Sequence, residues 1–329
     1  MTEQIWISVV TLAFSTLITV LIESRLIPYL SGRAAQPIYA DGPSWHISKS
    51  GTPTMGGLAF LVAIGVSLSL GCVYLFLTSG LSASVIAVMI SLLFSVGNSL
   101  IGIFDDLMKL KRKQNAGLTP MQKLILQFLL AVLFLMARAY FFDDTTTINL
   151  SFATFDIGLF YYPLAIILLL GIVNCANLSD GIDGLSSSVS LSIGAVFFII
   201  GLIGSLTETS IIASALIGGA IGFLIFNRHP ARIFMGDTGS LFLGALAASL
   251  AFTVNNPFII IMIGGVYVIE GISVILQVIY YKLTKKRLFK MAPIHHHLEK
   301  CGYSENKICL LAIITTLVLS ALSPLIFKV

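Results

Sequence analysis

Long runs of uncharged, apolar residues recur from one end of the chain to the other, and this pattern leaves few folds open. Charged residues make up only 10% of the 329 residues, whereas soluble domains carry about a quarter. Backbone N–H and C=O groups inside a bilayer must be paired within the protein, so only helices or closed barrels cross it. Because the apolar runs are too long for barrel strands, we expect an all-α, polytopic integral membrane protein, with residues 1–329 forming a single transmembrane domain.

A membrane-spanning helix needs about 20 mostly apolar residues, and the sequence contains about ten runs of this kind. Their predicted bounds are 4–27, 54–78, 83–104, 121–140, 160–175, 188–206, 209–226, 235–254, 258–282 and 308–327. The span over 258–282 is long and carries Glu270 and Gly271 in its middle, so we expect it to be broken or bent.

The distribution of lysine and arginine orients these spans. Of the 19 Lys and Arg residues, 17 lie in the connections that follow spans 1, 3, 7 and 9, and only Arg138 and Lys328 lie elsewhere. Cytoplasmic connections of membrane proteins carry the excess of positive charge. We therefore predict that the odd-numbered connections are cytoplasmic and that both termini face outward.

Acidic residues are scarce, yet several of them cluster at the predicted cytoplasmic ends of the spans. The chain has only 15 Asp and Glu residues, and carboxylates in membrane proteins are costly and usually functional. The clusters are Asp105 with Asp106, Asp180 with Asp183, and Asp237, accompanied by the triplet His295–His297. This pattern predicts a chemical site at the cytoplasmic face, where a soluble substrate arrives from the cytoplasm and a lipid substrate from the bilayer.

Asp105 and Asp106 end the third span within the segment IFDDLMK. Adjacent carboxylates attract a hard cation such as Mg²⁺, which prefers oxygen ligands and is often held by one or two carboxylates together with phosphates. The alternative is that the pair simply anchors the helix end at the interface. Lys123 opens the fourth span and can pair with these carboxylates or with a phosphate.

The segment from Asn174 to Gly184 combines two carboxylates, two amides and two glycines directly after the fifth span. Glycine allows a tight loop that a ligand can approach closely, so Asn177, Asp180, Gly181 and Asp183 are candidate substrate contacts. The alternative is a polar turn whose side chains cap their own backbone.

Asp237 lies in the segment FMGDTGS, just before the eighth span. A carboxylate at a helix N-terminus can cap that helix, which is the structural alternative. It can equally hold Mg²⁺ beside a diphosphate, with the free amides of the helix end assisting anion binding. Asn227, farther upstream, adds a polar turn.

Three consecutive histidines, His295, His296 and His297, lie in the most basic connection. Consecutive helical residues point about 100° apart, so the triplet is poorly suited to sharing one Zn²⁺ ion. We predict contacts to phosphate or substrate instead, with one histidine in acid–base chemistry.

Residues 41–57, with the sequence DGPSWHISKSGTPTMGG, lead into the second span. The segment lacks the GxxxxGK[ST] pattern of a phosphate-binding loop, but Lys49, Thr54 and its glycines can hold an anionic substrate. The alternative is an ordinary Gly- and Pro-rich connection.

Together these motifs resemble the polyprenyl-phosphate N-acetylhexosamine-1-phosphate transferase superfamily over essentially the whole chain. DDLMK, NLSDGIDGL and FMGDTGS are the marks of the superfamily, whereas residues 41–57 and PIHHHLE at 293–299 favour its phospho-N-acetylmuramoyl-pentapeptide transferase branch. The resemblance implies a Mg²⁺-dependent enzyme of the bacterial cytoplasmic membrane. It implies that undecaprenyl phosphate attacks the β-phosphate of UDP-MurNAc-pentapeptide, releasing UMP and forming lipid I. The partners are these two substrates and the bilayer, without nucleic acid, and a homodimer is implied by family analogy.

The resemblance also assigns roles by motif. It implies that Asp237 binds Mg²⁺, that Asp105 is the base or orients the lipid phosphate with support from Asp106, and that His295 is catalytic. The remaining candidates are substrate contacts, and the aromatic ring of Phe234 is placed to face the uracil. These substrate contacts are Lys49, Thr54, Lys123, Asn177, Asp180, Gly181, Asp183, Asn227, Phe234, His296 and His297. Direct attack by the lipid phosphate is favoured over a covalent aspartyl intermediate, because that phosphate is already an anionic nucleophile.

Two other functions are weighed against this one. An ion-coupled transporter would place acids near the membrane midplane and show an inverted repeat, but only Glu270 lies in mid-span and no repeat is visible. A transferase of N-acetylglucosamine phosphate would share the chemistry, and residues 41–57 and 293–299 argue against it.

Overall fold

The chain folds into a bundle of α-helices in the computed structural model, which describes residues 2–32, 34, 49, 51–112, 117–142, 146–254 and 256–328. Most of the 41–57 segment therefore lies outside the described residues, although Lys49 and Thr54 lie within them. The helices are α1 Thr2–Leu30, α2 Gly57–Ser79, α3 Ala83–Arg112, α4 Pro120–Phe141, α5 Tyr161–Leu178, α6 Leu185–Ile203, α7 Thr207–Asn227, α8 Gly236–Ala251, α9 Ile260–Ile263, α10 Gly265–Thr284, α11 Ile294–Lys300 and α12 Glu305–Leu322. One antiparallel hairpin, β1 Thr147–Asn149 and β2 Thr154–Asp156, is the only sheet in the described ranges.

The all-α membrane architecture is confirmed, with one difference in the count of spans. Within the described residues, nine helices are long and apolar enough to cross a bilayer. The predicted eighth span forms α8, which has only 16 residues and so extends about 24 Å at 1.5 Å per residue. From Thr238 to Ala251 every residue of α8 is buried. Because other helices surround it, α8 does not have to match the thickness of the lipid.

The predicted ninth span is broken, as expected, but at a different residue. The short helix α9 ends at Ile263, and α10 begins at Gly265. Glu270 and Gly271 lie inside α10 and continue the helix. The break thus falls at the Gly264–Gly265 pair, where the lack of side chains weakens the helix.

Small residues allow the first and seventh helices to pack closely. The buried stripe of α1 is polar and contains Ser8, Ser15 and Thr19. A Cβ atom on Gly218 of α7 would lie 2.4 Å from the carbonyl oxygen of Leu12, and Ser15 donates a hydrogen bond of 2.8 Å to the carbonyl of Ala215. Small residues and interhelical hydrogen bonds of this kind drive helix association in membranes.

The two ends of the bundle carry different polar groups. One end contains the hairpin and both described chain ends. Gln4 donates to Ser210 at 2.9 Å, the adjacent Thr209 contacts Thr253 at 2.7 Å, and Asn256 donates to the carbonyl of Asn149 in the hairpin, while Leu150 pairs with Phe327. The other end contains the motif residues described below. This separation matches the prediction that the motif residues lie together at one face of the membrane. Which side of the membrane each end faces stays a prediction.

Candidate active site

Three aspartates from two helices meet at the end of the bundle opposite the hairpin. Asp105 and Asp106 lie on α3, which continues to Arg112 beyond its predicted end, and Asp237 lies in the first turn of α8. One carboxylate oxygen of each lies within 4.8 Å of the others. The fold thus brings the DDLMK and FMGDTGS segments together.

Two lysines fill the space between these carboxylates. Lys123 Nζ lies 2.5 Å from Asp237 Oδ2 and 3.0 Å from Asp105 Oδ2. Lys109 Nζ lies 2.6 Å from Asp105 Oδ2 and 3.3 Å from Asp237 Oδ2. When all five groups are ionised the cluster carries one excess negative charge. Such a cluster can accept a cation through its carboxylates and a phosphate through its ammonium groups.

Asp106 holds the N-terminus of α8. Its Oδ2 accepts hydrogen bonds from the backbone N–H of Thr238 at 2.9 Å and from the Thr238 hydroxyl at 2.7 Å, and its Oδ1 accepts from the N–H of Asp237 at 3.2 Å. Residue 235, which precedes α8, supplies no side-chain cap. A carboxylate from another helix therefore satisfies amides that a helix start leaves free. The predicted catalytic role of Asp106 remains a prediction, and the contacts it makes fix the position of Asp237.

Glycines allow α2 and α3 to approach the start of α8. A Cβ atom on Gly102 would lie 2.3 Å from the carbonyl oxygen of Asp237, and one on Gly57 would lie 2.1 Å from the backbone nitrogen of Gly239. Real Cβ atoms essentially never show contacts below 3.0 Å. The position of Asp237 thus depends on backbone-to-backbone packing at these two glycines.

Asn177 connects the NLSDGIDGL segment to Asp237. Its side-chain N–H groups donate to Asp237 Oδ1 at 3.1 Å and to Ser240 Oγ at 2.8 Å. Asp180 follows in the turn after α5 and is half-buried. Removal from water, reinforced by the negative charges of Asp237 and Asp106, raises the pKa of the Asp180 carboxyl well above its usual value. The charges of the cluster thus act on Asp180, although Asp180 is not one of its three carboxylates.

A second polar cluster surrounds Asp183. Lys49 Nζ lies 2.7 Å from Asp183 Oδ1 and 2.7 Å from Glu305 Oε2. His229 Nδ1 lies 2.9 Å from Asp183 Oδ2 and 3.3 Å from Glu305 Oε1, and the N–H of Ala231 donates to Asp183 Oδ2 at 3.0 Å. The structure thus joins the predicted residues Lys49 and Asp183 and adds His229 and Glu305.

The three histidines have separate partners. His295 Nδ1 lies 3.0 Å from Glu270 Oε2, and His296 Nδ1 lies 2.6 Å from Glu299 Oε2. His297 Nδ1 accepts a hydrogen bond of 3.2 Å from the N–H of Lys290. Within the described residues, the triplet forms no shared metal-binding group. The roles predicted for the three histidines stay predictions.

Three further predicted substrate contacts, Thr54, Asn227 and Phe234, lie in the segments next to the carboxylate cluster. Asn227 is buried, accepts the N–H of Gly184 at 3.1 Å and donates to the carbonyl of Ile233 at 2.9 Å. Thr54 is buried, and Phe234 is half-buried with its N–H donated to the carbonyl of Pro53 at 2.8 Å. These contacts join the segments that carry the motifs.

Four further residues take part in these contacts although no role is predicted for them from the sequence: Lys109, His229, Glu270 and Glu305. Lys109 was detectable because it lies four residues after Asp105 on the same helix, and Glu270 because an acid within a membrane span is a functional candidate. His229 and Glu305 have no such local signal, since Glu305 reaches Asp183 through the packing of α12 against α6 and His229 through the packing of α7 against α6.

Comparisons with known proteins agree with these motifs. Residues 88–255 match the family model described as glycosyl transferase family 4. Residues 49–61 match signature 1 of phospho-N-acetylmuramoyl-pentapeptide-transferase. The first match contains the three aspartates of the cluster, and the second contains Lys49 and Thr54.

Several curated relatives cover nearly the whole chain, and each bears the name phospho-N-acetylmuramoyl-pentapeptide-transferase. The protein of Halalkalibacterium halodurans is 43% identical over 91% of this chain and 90% of its own length. That of Bacillus subtilis is 40% identical over 94% and 93%. That of Clostridioides difficile is 38% identical over 95% of each chain.

Proposed function

This chain belongs to the phospho-N-acetylmuramoyl-pentapeptide transferase family, and we propose that it transfers phospho-MurNAc-pentapeptide from UDP to undecaprenyl phosphate. The products are UMP and lipid I, the first lipid-linked precursor of peptidoglycan. The observation that carries the proposal is the cluster in which Lys109 and Lys123 bridge Asp105 and Asp237 at one end of a membrane bundle. Phosphoryl transfer depends chiefly on positioning and charge neutralisation, and this cluster offers both.

We propose Mg²⁺ as the cofactor, held by the carboxylate of Asp237. The donor set fits, because Mg²⁺ prefers carboxylate oxygens and completes its shell with phosphates and water. Neutralising the diphosphate and stabilising the leaving UMP are the chemistry that Mg²⁺ supplies when bound.

The lysines are suited to hold phosphates. Lys109 and Lys123 each contact two carboxylates at once, so their ammonium groups are already oriented toward the place where an anion would bind. An oxygen of the lipid phosphate attacks the β-phosphorus, and the bond from that phosphorus to the oxygen bridging to the α-phosphorus breaks. The α-phosphate leaves as part of UMP.

The contacts that Asp105 makes support direct attack by the lipid phosphate over a covalent aspartyl intermediate. Asp105 is fully buried, its Oδ1 accepts the N–H of Leu118 at 2.7 Å, and its Oδ2 is paired with both lysines. A carboxylate with both oxygens engaged is a poor nucleophile, whereas a lipid phosphate is already anionic. Asp105 orients the lysines that receive this phosphate.

The second cluster is proposed to bind the nucleotide part of the donor. Lys49 is partly exposed, while Asp183 beneath it is buried, so the lysine can exchange a carboxylate contact for a phosphate. The aromatic ring of Phe234 serves the uracil. We propose that the site lies at the cytoplasmic face of the bacterial inner membrane, because 17 of the 19 Lys and Arg residues fall in the predicted connections that follow spans 1, 3, 7 and 9. A homodimer remains part of the proposal by family analogy.

The decisive assay follows UMP release by purified protein supplied with undecaprenyl phosphate and Mg²⁺. Parallel reactions receive UDP-MurNAc-pentapeptide or UDP-GlcNAc, and EDTA removes the metal in a third. We expect release with the muramoyl donor and its loss in EDTA. Release with UDP-GlcNAc alone would assign the chain to the sister activity, and no release with either donor would refute the transferase function.

A further inference from the structure

Glu270 lies in the membrane-spanning helix α10 and reaches a histidine on another helix. Its Oε2 lies 3.0 Å from His295 Nδ1 and 3.4 Å from the backbone N–H of His295. Both side chains are almost completely buried, at 3% and 0% relative exposure. One carboxylate oxygen therefore contacts both the ring and the backbone of the same residue.

Holding a carboxylate at this depth is costly, and the fold does not require it. Removing an acid from water is energetically costly unless the group is well paired. Glu270 makes no other side-chain hydrogen bond among the described contacts. A hydrophobic residue would fill the same space at lower cost, so the contact to His295 is what the carboxylate contributes.

The opposite nitrogen of His295 has no partner. Nε2 is buried and makes no hydrogen bond with any described group. It faces Gly181, where a Cβ atom would lie only 2.3 Å from Nε2. Leaving a buried polar atom unsatisfied is energetically costly, and beside Gly181 the free nitrogen indicates a partner that a bound substrate provides.

We propose that Glu270 is a positioning residue that holds the proton of the neutral His295 ring on Nδ1, so that Nε2 presents its lone pair toward Gly181 and accepts a hydrogen bond from a donor group of the bound substrates. A carboxylate accepts hydrogen bonds and does not donate them, so it selects this tautomer and orients the ring. The proposal rests on the proposed transferase function. Carboxylates set the tautomer of metal-binding and catalytic histidines in the same way.

The first test replaces Glu270 by glutamine, which preserves volume and removes charge. The Gln side chain can donate to Nδ1 as well as accept, so it no longer selects the tautomer. We expect E270Q to lower kcat for UMP release by roughly 10- to 100-fold, with size-exclusion elution and Tm close to wild type. Measuring KM for the nucleotide and for the lipid separately identifies which substrate supplies the donor.

Glu23 provides a matched control. It is a fully buried acid in the membrane-spanning helix α1, and neither carboxylate oxygen has a hydrogen-bond partner among the residues that the structure describes. E23Q makes the same chemical change at comparable burial. We expect its kcat to remain within about twofold of wild type, because surrounding contacts are not altered.

A double-mutant cycle tests whether Glu270 acts through His295. If it does, E270Q lowers kcat in the wild-type background and has no further effect in the H295A background. Independent losses that multiply in the double variant would overturn the proposal, as would normal turnover of E270Q. In addition, ¹⁵N spectra of histidine-labelled protein should show the His295 signal, identified by its loss in H295A, changing from the Nδ1–H pattern to a mixture of the Nδ1–H and Nε2–H patterns in E270Q. These outcomes are distinct from failure of the proposed function, in which wild-type protein itself releases no UMP.

Discussion

Replacing Gly102 by alanine tests whether backbone packing places Asp237. Gly102 lies on α3, one turn before Asp105, and faces the start of α8. The new Cβ would lie 2.3 Å from the carbonyl oxygen of Asp237, whereas ordinary contact begins at 3.4 Å, so the two helices must separate by about 1.1 Å. The contacting atoms belong to the backbone and cannot rotate away, so Asp237 moves with them.

A displacement of about 1 Å in a reacting group can lower the rate about 100-fold. We therefore expect G102A to reduce kcat by roughly that factor and to raise the Mg²⁺ concentration needed for half-maximal UMP release. Overpacking of this kind also costs about 1–3 kcal/mol of stability, which a lower Tm in detergent would report.

Gly65 on α2 supplies the control, because a Cβ atom there meets nothing within 4 Å. The variant G65A should retain wild-type turnover and Mg²⁺ dependence. If G102A also showed wild-type kcat and an unchanged Mg²⁺ requirement, the position of Asp237 would not depend on this contact, and the argument from backbone packing would be wrong.

Three further predictions concern the carboxylates. D237A should abolish Mg²⁺-dependent UMP release while its size-exclusion profile remains that of folded protein; near-normal turnover would remove Asp237 from the metal role. D106N keeps one of the two acceptor oxygens that bind the start of α8, so its Tm should fall by an amount equivalent to about 1–2 kcal/mol, and its kcat should fall as well. T238V lacks only the hydroxyl contact to Asp106, so its losses of Tm and of kcat should both be smaller. Because the pKa of Asp180 is raised in the fold, the unfolded chain ionises first as pH rises above about 4, and wild-type stability declines. The Tm of D180N measured in EDTA should therefore exceed that of wild type increasingly with pH, and a constant difference would contradict the raised pKa.

Hydrophobicity and charge were sufficient to predict most of the fold. Spans such as 83–104 and 121–140 were recognisable because lipid requires a continuous apolar run, which is a local property of sequence. The predicted end of the third span was too early, since α3 continues to Arg112 as a polar helix beyond the apolar run. The length of α8 was overestimated for a related reason. In the sequence, an apolar run that is buried inside the protein looks the same as an apolar run that crosses the lipid.

Residue types at motif spacing also indicated the candidate site, but not how its members pair. The segments DDLMK and FMGDTGS each contain residues suited to phosphate chemistry, and this is visible without a fold. That Asp106 caps α8, while Asp105 pairs with Lys109 and Lys123, was not visible. Adjacent residues of a helix point in different directions, and their partners depend on which helix packs against each side.

The sequence by itself determined that this chain is a helical membrane protein with its acids concentrated at one end. Lipid requires apolar residues at each position of a span, and this requirement does not depend on residues far away in the chain. Only the tertiary structure decided which of those acids meet. Asp106 and Thr238 are separated by 132 residues, and Glu270 and His295 by 25. Such contacts depend on the angles and close approaches of whole helices, set by glycines such as Gly57 and Gly102, and no local pattern of residues contains that information.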